Sequence, residues 1–82
     1  MTTININIEP EDGWVLAPDG KTSFCNMSSD ARVWIAFTED ETIVPSDNLV
    51  GENLAFGIIR NVLASQPTWL KAPAQKGVVV CS

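Results

Sequence analysis

Apolar and polar residues alternate strictly at the start of the chain. In Thr3-Ile4-Asn5-Ile6-Asn7-Ile8 a period of two puts Ile4, Ile6 and Ile8 on one face of a strand and Asn5 and Asn7 on the water side. Pro10 ends that run. Trp14-Val15-Leu16-Ala17 predicts a second strand. The segment Ala17-Pro18-Asp19-Gly20-Lys21 predicts a turn, because proline presets φ and glycine supplies the positive φ of a tight reversal. A third strand is expected over Thr22 to Met27, followed by a loop at Asn26-Met27-Ser28-Ser29-Asp30, whose side chains bond readily to their own backbone. In Arg32-Val33-Trp34-Ile35-Ala36-Phe37-Thr38, Val33, Ile35 and Phe37 share one face of a strong strand. Trp34 lies on the other, pointing away from the main core.

Glu39-Asp40-Glu41 and Pro45-Ser46-Asp47-Asn48 mark a long exposed and mobile connection, with a short strand at Thr42-Ile43-Val44. From Gly51 to Gln66 two periods fit at once. Leu54, Ile58 and Val62 recur at helical spacing, whereas Gly57 and the β-branched Ile58, Ile59 and Val62 favour extended structure. Extended structure is the preferred reading, with one short helix within 52–64 as the alternative. Thr68 to Ala72 and Val78 to Ser82, separated by Pro73-Ala74-Gln75-Lys76-Gly77, predict a β-hairpin whose second strand belongs to the core. The whole chain, 1–82, is therefore expected to be a single all-β domain, a small antiparallel β-sandwich or barrel of six to eight short strands. So short a chain buries a limited fraction of its surface and leaves sheet edges open, which makes self-association an expectation.

Charge narrows the partners. Ten acidic residues against five basic ones give a net charge of −5, and the basic residues are scattered, which disfavours nucleic acid and anionic membranes. The first residues, MTTININIEPED, lack the basic start and apolar run of a secretion signal, so a cytoplasmic product is expected; no run is long enough to span a bilayer.

Little in the chain suggests reaction chemistry. There is no histidine, the commonest general base and zinc ligand. Ser28, Ser29 and Ser65 lack a nucleophile motif and are read as turn-forming. Glu9, Glu11, Asp12, Glu39, Asp40 and Glu41 are read as solvated acidic turns without EF-hand spacing. No catalytic residue, cofactor or metal site is expected. Cys25 and Cys81 are read as free thiols, with a disulfide between their strands as the alternative. Asn26-Met27-Ser28 matches a glycosylation acceptor but is read as loop chemistry. Trp14 and Trp69 are assigned to packing. Trp34 is open to packing or an interface, because tryptophan is enriched in binding surfaces.

The order of these features resembles the small β-sandwich virion proteins of tailed bacteriophages, the capsid decoration and head-fibre type. The similarity runs through the alternating first strand, the Trp14 strand, the strand ending at Asn26-Met27-Ser28, and Val33-Trp34-Ile35-Ala36-Phe37. It continues through Pro45, Gly51, Trp69-Leu70-Lys71 and Gly77-Val78-Val79-Val80. The run from Leu54 to Leu63 departs from it, being longer than a usual connecting strand. The resemblance implies a non-enzymatic protein made in the bacterial cytoplasm and carried on the capsid surface. There it would bind the major capsid protein, commonly as a homotrimer, and stabilise the shell. Trp34, Phe37, Glu39, Asp40 and Glu41, with the rest of the 39–48 loop, are the candidate partner-binding positions. Two other readings stand beside it: a tail, fibre or adaptor component that binds another virion protein or a host glycan, and a small acidic intracellular inhibitor or adaptor.

Overall fold

The computed structural model describes residues 3–82. The alternating first run forms β1 (Ile4–Ile8), and Pro10 opens a single 3-10 turn over Pro10–Asp12, locked by the Glu9 N–H donating to Asp12 Oδ2 at 2.8 Å. Then follow β2 (Val15–Leu16), β3 (Ser23–Asn26), β4 (Trp34–Phe37), β5 (Glu52–Asn53), β6 (Ile59–Asn61), β7 (Thr68–Lys71) and β8 (Gly77–Cys81). They make two four-stranded antiparallel sheets, one in the order β1-β8-β3-β6 and the other β2-β7-β4-β5. This is the small β-sandwich the sequence predicts.

The main core lies between the sheets. Ile8, Phe24, Val33, Ile35, Leu54, Leu70, Ala72, Val79 and Cys81 form it, with Ile4, Ile6 and Phe37 packed at its margin. The predicted faces of β1 and β4 are the observed ones. Fully burying each such aliphatic or aromatic side chain stabilises the fold by about 1.5–3 kcal/mol.

Two expectations are corrected, and one open choice is decided for the extended reading. The segments 68–72 and 78–82 are not a hairpin: β7 pairs with β2 and β4 in one sheet, β8 with β1 and β3 in the other. The turn between them arches across the sandwich. Apolar alternation and a five-residue loop describe an arch as well as a hairpin, because the pattern specifies which face is buried and not which strand is the neighbour. Residues 42–44 form no strand; the Asp40 carboxylate instead accepts the Thr42 N–H at 2.9 Å and its hydroxyl at 3.1 Å, curling the chain into a turn. No helix occurs within 52–64. Three of its backbone donors are spent on other segments, Leu54 on Val33, Gly57 on Asn26 and Val62 on Thr22, and Gly57 adopts φ 74°, which a helix forbids.

Cys81 is buried between the sheets and Cys25 is half-buried; both are free. Their residues alternate onto opposite faces of the same sheet, since Cys81 pairs with Phe24 and Cys25 with Val80, so a disulfide between them has no route. Burial also pushes the Cys81 thiol pKa upward, with the Lys21 charge pulling the other way. A thiol reagent at neutral pH is expected to label Cys25 alone in the folded protein and both cysteines after unfolding. Labelling of Cys81 at the rate of Cys25 under native conditions would contradict this placement.

Candidate interaction surface

The outer face of the sheet β2-β7-β4-β5 carries a second, smaller core. Trp14, Ala36 and Trp69 are buried there with Trp34 packed beside them, and the connection from β4 to β5 lies over them. Tryptophan N–H groups and a lysine fix that connection. Trp14 Nε1 donates to Ser46 O at 3.0 Å, Trp69 Nε1 donates to Thr38 Oγ1 at 2.9 Å, and Lys71 Nζ donates to Asp47 O at 3.2 Å while sitting 5.7 Å from the Trp14 ring centroid. Pro45 is buried against this face. The segment read as mobile is thus tied to the sheet at both ends and in the middle.

Gly51 closes it. A Cβ there would stand 2.8 Å from Trp14 Cη2, 2.9 Å from Trp34 Cβ and 3.0 Å from Ile35 O, closer than packed carbons approach. Gly51→Ala is expected to destabilise the fold by about 1–3 kcal/mol through overpacking, read as a lower urea midpoint and a shift in tryptophan fluorescence. An unchanged midpoint would show that the loop does not rest on the tryptophans.

The same connection turns apolar side chains outward. Ile43, Val44, Leu49 and Val50 are exposed, Val50 to 72%. At its start Glu39, Asp40 and Glu41 are exposed and line a recess of about 300 Å³ with Leu16, Lys21 and Gln66. The Asp40 pKa is held below the usual carboxylate value by its hydrogen bonds from the Thr42 backbone and hydroxyl.

The other candidates on β4 part company. Trp34 faces outward and lines a wider recess of about 690 Å³ with Asn53, Phe56, Pro73 and Gln75. Phe37 faces inward and lines a groove of about 380 Å³ with Val62, Leu63 and Gln66. Over that groove Arg60 sits 5.5 Å from the Phe37 ring centroid and bonds Glu52 through Nε at 3.1 Å and Nη2 at 3.2 Å. This pair bridges β5 to β6, closing one side of the sandwich and placing charge at a pair of edge strands, which discourages edge-to-edge pairing. Trp34, Phe37 and Glu39–Glu41 therefore line three separate depressions.

Two features were not anticipated from the sequence. Phe56, Ile58, Ile59 and Leu63, assigned to a strand or helix of unknown facing, are exposed, Leu63 to 71%. Asn26, read as a loop residue, is 2% exposed and is the polar centre of one end of the fold. Its Nδ2 donates to Ala31 O at 3.0 Å and Leu54 O at 3.3 Å, and its Oδ1 accepts the Ser28 N–H at 2.8 Å. The available signal was its place in the strand read over Thr22 to Met27, two residues after Phe24 and so on the same face. The acceptor triplet is accordingly a structural motif, with the Asn26 amide committed to two carbonyls and Ser28 Oγ accepting the Val78 N–H at 2.7 Å.

Glu9 reaches Lys76 Nζ at 3.9 Å, and no cluster of three or more potential metal ligands occurs among the described residues. No helix of the described residues is long and apolar enough to cross a membrane. Comparison of the chain with protein families, curated proteins and solved structures returned no match.

Proposed function

We propose that this chain is a structural attachment protein, a bacteriophage capsid decoration subunit that docks on the outer surface of the shell and reinforces it. One observation carries the reading: a loop pinned to its own sheet by Trp14, Trp69 and Lys71 nevertheless spends Ile43, Val44, Leu49 and Val50 on solvent. Fixed apolar side chains rimmed by acids such as Glu41 and Asp47 suit a protein surface with an apolar centre and a basic rim. A preordered loop also gives up little entropy on docking. Many copies on one shell make individually weak contacts sufficient. The major capsid protein is the partner this reading assigns.

The test uses shells assembled without this protein. The purified chain is expected to co-sediment with them, and the double variant Val44→Asp, Val50→Asp, altered only at exposed positions, to bind about tenfold or more weakly. No co-sedimentation of the native chain, or equal binding by the double variant, would reject the surface.

A second reading has its own support. The recess at Trp34 sets a half-buried indole beside the amides of Asn53 and Gln75, a combination suited to a host glycan and hence to a tail or fibre component. Glycan binding that disappears in Trp34→Ala would favour it.

A further inference from the structure

The two sheets differ in what lies over them. The sheet β2-β7-β4-β5 has its apolar outer face covered by its own connection, whereas the outward residues of β1-β8-β3-β6 are exposed or half-buried and none is buried. That open face is apolar at its centre. Val80 pairs with Cys25 and Cys25 with Ile59, so these side chains form one row across β8, β3 and β6. Val78 and Met27 continue it, with the Met27 N–H donating to Val78 O at 2.9 Å and Cys25 Sγ lying 3.7 Å from Met27 Sδ. The strand β8 reads Gly-Val-Val-Val-Cys, apolar on both faces, a composition expected of a strand covered on both sides.

Around the row stand Asn5 and Asn7 on β1, Ser23 on β3 and Asn61 on β6, which share its face by register. None of the chain's ten acidic and five basic residues occupies an outward position of these four strands. For a chain of net charge −5 that is a marked omission, and it bears on what the face meets.

We propose that this face is the contact surface for a second copy of the chain, related by a two-fold axis. Across such an axis a residue on the axis meets its own kind, and a residue off it meets the one opposite it on the same face. A charged rim would there oppose its own sign. Amides and hydroxyls carry both donor and acceptor, so Asn and Ser rims are compatible with themselves. Two acidic chains that meet at a charge-free face bring none of their like charges into contact. The area is adequate as well. The molecule is a slab of 30 × 29 × 17 Å, and a broad side of that size can hold the roughly 800 Å² per partner of a standard interface. The inference is independent of shell attachment, which uses the opposite sheet's loop. A two-fold face gives a dimer; the trimer implied by the virion resemblance would require unlike surfaces to meet in a ring.

Sedimentation equilibrium on the purified chain tests this without any shell. The native chain is expected at twice its chain mass in the micromolar range. Val80→Lys and Ile59→Lys should each raise the dissociation constant at least about 100-fold with unchanged far-UV circular dichroism, because a buried lysine would have no partner. Leu16→Lys, an exposed position on β2 of the opposite sheet, should leave the dimer intact. Ile59 is 63% exposed on an edge strand, so Ile59→Lys carries the test alone if Val80→Lys fails to fold. A native chain that stays monomeric or forms trimers, or a dimer that survives Ile59→Lys, would overturn the proposal, and neither result bears on co-sedimentation with shells.

Discussion

Replacing Asn26 by alanine is expected to cost about 3–5 kcal/mol of folding stability. The side chain satisfies three backbone groups at once, the carbonyls of Ala31 and Leu54 and the N–H of Ser28, in a site 2% exposed. Removing it strands all three where water has little access and leaves a small cavity. A chain of this length has about 4–12 kcal/mol in total, so the loss is a large share of it and unfolds the variant at room temperature if the total lies at the low end of that range. Urea titration followed by tryptophan fluorescence measures this, and a loss under about 1 kcal/mol would show that water replaces the amide. Asn26→Asp sharpens the case, because it keeps the acceptor for Ser28 and turns the donor toward two carbonyls into a carboxylate oxygen. A buried carboxylate facing carbonyls has a raised pKa when folded. The variant's stability should therefore be fullest below about pH 4, the unfolded value, and decline as the pH rises through the raised folded value.

Removing residues 78–82 is expected to abolish cooperative folding altogether. The strand β8 is the sole strand partner of β1 and one of two partners of β3, and it places Val79 and Cys81 at 0% and 1% exposure in the main core. Its loss leaves β1 with no ladder and opens the sandwich along its middle, which exceeds what a domain this small can absorb. A truncated chain that still melted in a single sharp transition would show that β8 is an accessory strand.

These two sites also show where sequence reasoning reaches its limit. The period-two pattern located β1, β3, β4, β7 and β8 and assigned the inward faces of β1 and β4 correctly, because burial on one face imposes alternation directly. Pairing was not legible. All connections except β4 to β5 cross between sheets, and a turn such as 73–77 looks the same whether it reverses within a sheet or arches over the core. The segment 52–64 carried two competing periods, and tertiary hydrogen bonds to Val33, Asn26 and Thr22 decided between them. Of the candidate contact residues, Trp34 was placed correctly on the outward face, but its packing against Trp14 and Trp69 depends on β2, β4 and β7 being neighbours. The acidic loop looked mobile since its anchors, the indole N–H groups and Lys71, are remote in sequence.

Counting the chain in particles tests the proposed shell attachment most directly. Quantitative mass spectrometry on purified virions, or on particles from an induced prophage, should find this protein in numbers comparable with the major capsid protein. A few copies per particle would move it to the tail or fibre, and complete absence from particles would contradict the account.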